Sequence, residues 1–408
     1  MSALKWYPAF LLLVSSVIAQ DHPASLSGRF NREVPVRLYE GLEAKIGVRG
    51  EGVLECYRGI KLSEIYYFCD KVNIAYRDNG IELSDANGVL AFGIAEIRCK
   101  PRQQSSFITL EDRAYRGYLR CKFLETPMGI EVLNMVDIED YLKGVLPAEI
   151  GDRAPDEYEA VKAQAIAART YAVWRLTEFP AGLSPTVADQ VYNGLDSEKE
   201  FLSQGVDDTR GEIMVYRRHP VAAYFHAVCG GHTTTVEKTW PEKQGRPYLQ
   251  PVDDRDYCAW AKTYSWTEIF SAAQLKESLE TYFTSQNHAR PGDFDAIRDI
   301  RFIAGKDGGR IRTMVVSTVR GEFRESYDRI RWALGQPSAP GTILLSTCFN
   351  ALKEVHDDRV VSLKLIGHGN GHGVGMCQCG AIGQARAGKK YDDILKYYYK
   401  HIKLTRPY

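Results

Sequence analysis

The stretch IEVLNMVDIEDYLKGVLPAEI, residues 130–150, changes period in mid-run. Ile130-Glu131-Val132-Leu133 suits a strand. After Asp137, the residues Ile138, Tyr141, Leu142 and Val145 recur at helical spacing. The residue before a proline disfavours helical angles, so the helix is expected to stop before Pro147. Glu149 would then lie just past its end, on a short connection. A strand feeding a helix here divides the chain: strand-rich sequence precedes it and buried helices follow, which is an α+β pattern.

Upstream, residues 34–125 read as short strands. Val36-Arg37-Leu38-Tyr39 and Ala44-Lys45-Ile46-Gly47-Val48 alternate, and Asp78-Asn79-Gly80 and Asp85-Ala86-Asn87-Gly88 are turn signals. Further upstream, one lysine, an apolar run from Phe10 to Ile18 and small residues before Gln20 describe a secretory signal, with cleavage expected after Ala19. The expected organisation is a signal at 1–19, a β-rich region at 28–125 and a second unit at 126–405.

Downstream, Pro155 opens a helix, with Asp156 and Glu157 complementing its positive end. VKAQAIAARTYA, residues 161–172, is small or apolar on almost every side, the mark of a buried helix. Lys162 and Arg169 share one face, and Gln164 and Tyr171 lie roughly opposite. A buried cation needs a carboxylate, carbonyls or a ligand beside it. Ala222–Val228, Thr313–Ser317 and Ser362–Ile366 read as strands. Residues 267–284, 381–387 and 391–401 read as helices, with Gly388 a stop.

The chain has 408 residues, 52 basic and 52 acidic, so nothing points to bulk attraction for nucleic acid. No apolar run after the N-terminus is long enough to span a bilayer. An exported chain permits disulfides. Four of the nine cysteines, Cys56, Cys69, Cys99 and Cys121, fall in the β-rich region, where three pairings are open.

Three clusters carry chemistry. GHGNGHGVGMCQCGA, residues 367–381, is neither a phosphate loop nor a dinucleotide motif. Alternating glycines allow close backbone approach and leave His368, His372 or Gln378 free to face a ligand. Glu149, after an apolar run and beside a cationic helix, is placed for desolvation. Burial raises a carboxyl pKa and suits it to proton donation; a cap on the next turn is the competing role. His226-x-x-Cys229-x-x-His232, with Cys258, Cys377 and Cys379, has zinc-ligand character. A Cys229–Cys258 disulfide and free thiols fit the same residues.

Taken together, residues ~130–404 resemble the SpoIID/LytB family, the stage II sporulation protein D and amidase-enhancer group. The likeness rests on NMVDIEDYLKGVLPAE (134–149), VKAQAIAARTY (161–171), FHAVCGGHT (225–233), GHGVGMCQCGA (371–381) and the YDDILKYYY ending. Gln190–Gly194 and Pro247-Tyr248-Leu249 add weaker support.

The resemblance implies a SpoIID-like catalytic domain and a peptidoglycan lytic transglycosylase with Glu149 as single general acid and base. An ordinary glycosidase would need two flanking carboxylates. It implies that Lys162, Gln164, Arg169, Tyr171, His372 and Gln378 bind substrate or shape the site, and that the glycine loop lines the glycan groove. No cofactor is required for that chemistry. A structural zinc on Cys229, His232, Cys258 and Cys377 stays open, because cysteine stands at 377 where the family commonly has serine. The implied partners are glycan strands, with or without stem peptides, and a cell-wall amidase. The implied place is outside the cytoplasm. A non-catalytic wall-binding amidase enhancer is the alternative.

Overall fold

The computed structural model describes residues 32–78, 80–305 and 309–408. The export signal expected at 1–19 lies outside the described residues.

Twelve strands come first: β1 (Glu33–Gly41), β2 (Glu43–Arg49), β3 (Gly52–Arg58), β4 (Lys61–Phe68), β5 (Val72–Arg77), β6 (Gly80–Asp85), β7 (Gly88–Ile94), β8 (Glu96–Pro101), β9 (Phe107–Leu110), β10 (Arg113–Tyr115), β11 (Tyr118–Glu125) and β12 (Met128–Asp137). They form two six-stranded sheets, in the orders β1-β12-β11-β8-β3-β4 and β10-β9-β2-β5-β6-β7. Alternation decides which side chains go in. In β8, Ile97 and Cys99 are fully buried, while Glu96, Arg98 and Lys100 point outward. Val34, Val36, Leu54, Leu119 and Val132 from one sheet and Ile46, Ile74, Leu83 and Ile108 from the other share one core.

β12 is different. Gly129 through Val136 are all buried, so both faces are covered. Tyr192 donates to the side chain of Asn134 at 2.9 Å, tying β12 to the segment after the helices. The strand runs directly into α1 (Ile138–Ile150), capped by the Asp137 carboxylate accepting from the Glu139 amide.

The helix does not stop before Pro147. It continues through it to Ile150, which puts Glu149 in its last turn rather than on a connection. A proline this late removes one helical hydrogen bond and leaves the earlier turns intact. The Gly144 carbonyl is taken up by the Asn193 amide at 3.2 Å, and Tyr192 packs where a side chain at Gly144 would stand.

A 3-10 turn at Pro155–Glu157 leads into α2 (Tyr158–Glu178), buried almost without interruption from Ala160 to Val173. It is enclosed by α1, by α3 (Glu200–Asp208) and by two late helices described below. Such all-round cover is what its small and apolar sequence requires. β13 (Ile213–Tyr216) pairs with β14 (His219–Pro220). The strand expected over 222–228 shrinks to β15 (Phe225–His226), and α4 (Val236–Thr239) follows.

A second hydrophobic core occupies 265–368. It contains β16 (Ser265–Ser271), α5 (Ala272–Ser285), β17 (Ile297–Ala304), β18 (Ile311–Thr318), β19 (Glu322–Ser326), α6 (Ile330–Leu334), β20 (Phe349–His356) and β21 (Arg359–His368). The helix expected from 267 begins later, because SWTEIFS alternates as a strand with Trp266, Glu268 and Phe270 inward. Ser271 then caps α5 with Gln274 in a capping box. β21 pairs with β16, so the segment leaves and returns at one place. β22 (Met376–Cys377), α7 (Gln378–Arg386), α8 (Tyr391–Tyr398) and β23 (Lys403–Thr405) complete the chain. β22 lies parallel to β15, and α7 and α8 pack on α2.

Candidate active site and thiol cluster

Glu149 sits where α1, the 189–191 segment and the start of α7 meet. The Val191 amide donates to Glu149 Oε1 at 3.2 Å. Gln378 Nε2 donates to the Glu149 backbone carbonyl at 2.9 Å and to Gln164 Oε1 at 3.4 Å. Among the described residues no cation pairs with the Glu149 carboxyl. Burial therefore dominates and pushes its pKa up to about 7, against the smaller pull of the Val191 amide and Gln378. A carboxyl in that state is partly protonated near neutrality and can both give and take a proton.

The six residues expected to bind substrate separate into groups. Gln164 and Gln378 reach the Glu149 end of α1; Gln164 is fully buried, with Nε2 left without a partner. Tyr171 donates to Asp189 Oδ1 at 3.1 Å, two residues before the Val191 donor. Arg169 does not line a cleft. It is wholly buried and makes a fork onto Glu139, at 3.1 Å from Nε and 2.6 Å from the second nitrogen, with the Val206 and Glu212 carbonyls completing its bonds. Lys162 is likewise structural. Its ammonium pairs with Glu159 at 2.6 Å and lies over the rings of Tyr158 and Tyr391.

His372 joins an aromatic row. Tyr171, Trp174, Tyr224, Trp240 and His372 follow one another with ring centroids 4.9–5.6 Å apart. Lys243 Nζ sits 4.1 Å over Trp240. His372 Nδ1 accepts from the Val374 amide at 3.1 Å, and burial holds the imidazole neutral, well below its usual range. Tyr171 is buried and the other four rings are half-buried, and each is tilted or edge-on to the next, as aromatic pairs prefer.

The glycine loop packs closely on the protein itself. Gly369, Gly371, Gly373 and Gly375 all have positive φ. A Cβ on Gly375 would stand 1.9 Å from the Tyr224 carbonyl, and one on Gly371 would press on His226. The bare backbone lets the loop pack against the protein's own 224–230 segment.

That packing gathers the cysteines. Cys229, Cys258 and Cys377 bring their sulfurs together with the Asp254 carboxylate, all ligand atoms within 4.8 Å of one another and all four residues buried. Cys229 Sγ and Cys258 Sγ are 3.5 Å apart. His232, expected in this set, is excluded. His232 and Asp253 oppose each other in an isolated antiparallel bridge, exposed, while the neighbouring Thr233 and Asp254 are buried. Burial, with the Cys258 sulfur beside it, pushes the Asp254 carboxyl up to about 8.

The residues missed from sequence are Val191, Asp254, Tyr224 and Trp240. Val191 lay inside the Gln190–Gly194 stretch and Tyr224 inside the Ala222–Val228 run; Asp254 stands four positions before Cys258, in a tight turn where the Cys258 amide donates to it at 2.9 Å.

With a half-buried acid at a helix end and a glycine loop packed on the protein's own backbone, the comparisons with known proteins take on meaning. The stage II sporulation protein (SpoIID) profile matches residues 127–216, from β12 to β13. A second profile, a domain of unknown function, matches 258–375, the stretch that holds the second core. An uncharacterized protein of Brachyspira hyodysenteriae is 34% identical over 278 residues, 67% of this chain and 68% of its own length. The stage II sporulation protein D of Bacillus subtilis is 28% identical over 66% of this chain and 75% of its own. The amidase enhancer of Bacillus subtilis is 27% identical over 84% of this chain, but this covers about half (51%) of the enhancer. The chain belongs to the SpoIID family.

Proposed function

We propose that the protein is an exported lytic transglycosylase. It would cut the bond between N-acetylmuramic acid and N-acetylglucosamine in peptidoglycan, with Glu149 as its single acid and base. The observation that carries the reading is the Glu149 carboxyl: half-buried, held by the Val191 amide, unopposed by any cation among the described residues, and raised to about 7.

In its protonated form Glu149 gives its proton to the bridging oxygen, and the C1–O4 bond breaks. Positive charge develops at C1. The resulting carboxylate takes the proton of the muramyl O6 hydroxyl, and O6 bonds to C1. This closes a 1,6-anhydro ring and returns Glu149 to its starting state. No water is consumed, because the attacking hydroxyl is already tethered to the reacting sugar. One carboxyl therefore suffices where a hydrolase needs two. The Val191 amide steadies the carboxylate between the two transfers. The row from Tyr171 to Trp240 would carry the neighbouring sugars.

A second reading is favoured by one relative, whose name is amidase enhancer: a wall-binding protein that stimulates an amidase without cutting glycan. One experiment separates the two. The mature protein is incubated with intact and amidase-treated sacculi, and the sugar ends are identified by mass spectrometry. Ends lacking one water, at 1,6-anhydromuramic acid, are expected. Reducing ends would make it a hydrolase. Unchanged glycan together with a stimulated amidase would establish the second reading.

A further inference from the structure

We propose that Cys229, Asp254, Cys258 and Cys377 hold a structural zinc ion, which clamps the start of α7 and so keeps Gln378 against Glu149.

The spacing of the four groups suits an ion better than a disulfide. A sulfur–sulfur bond is about 2.05 Å, whereas Cys229 Sγ and Cys258 Sγ stand 3.5 Å apart. Thiolates at about 2.3 Å from a tetrahedral zinc lie roughly 3.8 Å from one another. A disulfide would also leave a third thiol and a carboxyl buried beside it. A metal engages all four groups.

The surroundings support ligation. Cys377 Sγ accepts from the Cys229 amide and from the Gly380 amide, each at 3.2 Å. Asp254 accepts from the Tyr398 hydroxyl at 2.5 Å and from the Cys258 amide at 2.9 Å. Bonds of this kind orient ligands and steady their charge. Thiolates are soft donors that favour zinc over magnesium, calcium or manganese. Four protein ligands leave no open position, the mark of a structural site.

The four ligands come from three separate segments: the end of the β15 strand region, the 254–258 turn and the N-cap of α7. α7 is pressed so closely on the cluster that a Cβ at Gly380 would meet Asp254 Oδ1 at 2.3 Å. Gln378 is the residue after Cys377, and it holds the Glu149 carbonyl. The Gln378 contact is thus placed by the cluster. The inference is independent of the glycan reading, since metal content and helix protection are measured without substrate.

The test uses the full mature chain, purified without chelator. Elemental analysis should find one zinc per chain. A strong chelator should remove it, lower the melting temperature and speed amide hydrogen exchange in residues 378–386; added zinc should restore both, and magnesium should not. Cobalt in its place should give intense sulfur-to-metal charge-transfer absorption. Asp254→Asn and Cys258→Ser should each weaken zinc retention at least tenfold, while Cys69→Ser, an exposed thiol in the β-rich region, should keep full zinc. Absence of metal from the wild-type protein, with a Cys229–Cys258 disulfide found by peptide mapping, would overturn the site. Full zinc in Cys258→Ser would overturn it too. Unchanged exchange in α7 after zinc removal would overturn the clamp. Should Cys258→Ser fail to fold, the wild-type metal content, Asp254→Asn and Cys69→Ser still decide.

Discussion

Two glutamates stand ten residues apart on one helix, and the protein treats them in opposite ways. Glu139, in the first turn of α1, is fully buried and fully answered. Arg169 forks onto it, and the Gly211 amide and the Tyr408 hydroxyl donate to it at 3.0 and 2.9 Å. Glu149, in the last turn, receives one backbone amide and no cation among the described residues. Low dielectric strengthens every interaction at both places. At Glu139 that strengthens the ion pair with Arg169, and at Glu149 burial favours the neutral acid. Burial alone thus does not decide a carboxyl's role; the partners gathered around it do.

The largest expected effect comes from removing the unanswered acid. Glu149→Gln should lower glycan cleavage by about 10²–10⁴, the share usual for one positioned acid–base group, with binding to sacculi retained. Full activity in that variant would erase the functional half of the contrast.

Removing the partner of the answered acid should act on the fold instead. Arg169→Met leaves Glu139 as a buried, uncompensated charge and should cost about 3–5 kcal/mol in urea unfolding. A loss confined to activity, with stability unchanged, would instead place Arg169 in the cleft.

Acidity sharpens the contrast next. The Glu149 pKa is about 7 in the folded chain against roughly 4.3 unfolded. Between those values the folded state binds more protons, so its stability falls as pH rises through the window. At pH 8, Glu149→Gln should therefore be more stable than wild type by roughly 3–4 kcal/mol, with almost no difference at pH 4. The same ionisation sets the alkaline limb of kcat/KM near pH 7, because the acid must begin protonated. A limb near 4.5 would mean the carboxyl is solvated.

The smallest effect belongs to Lys162. Its pairing with Glu159 is partly open to solvent, so Lys162→Met should change stability by less than about 1 kcal/mol and cleavage by less than twofold. A tenfold loss of cleavage would return it to the substrate site.

Much was legible from sequence because it depends on local chemistry. Alternation in β1 and β2, the all-apolar cylinder of α2, the stop at Gly388 and the α+β division at 130–150 need only neighbours along the chain. The end of α1 was misjudged because a proline rule is a local average, and Asn193 and Tyr192, far along the chain, complete that turn. Lys162 and Arg169 were correctly seen to need partners. The partner of Arg169 was invisible, since Glu139 is thirty residues away, whereas Glu159, three residues before Lys162, was within helical reach.

What the sequence determined by itself is that a buried cationic helix, an acid after an apolar run and a cysteine-bearing glycine loop exist in this chain, and that together they mark the SpoIID family. Only the tertiary structure decided which acid is neutralised and which is not, that the glycines serve the protein's own backbone, and that Asp254 rather than His232 stands among the three thiols. The physical reason is the same in each case. Charge state and ligand identity depend on groups brought within a few ångströms by the fold, and the bridge at His232 and Asp253 turns both side chains outward, however well the spacing reads in sequence.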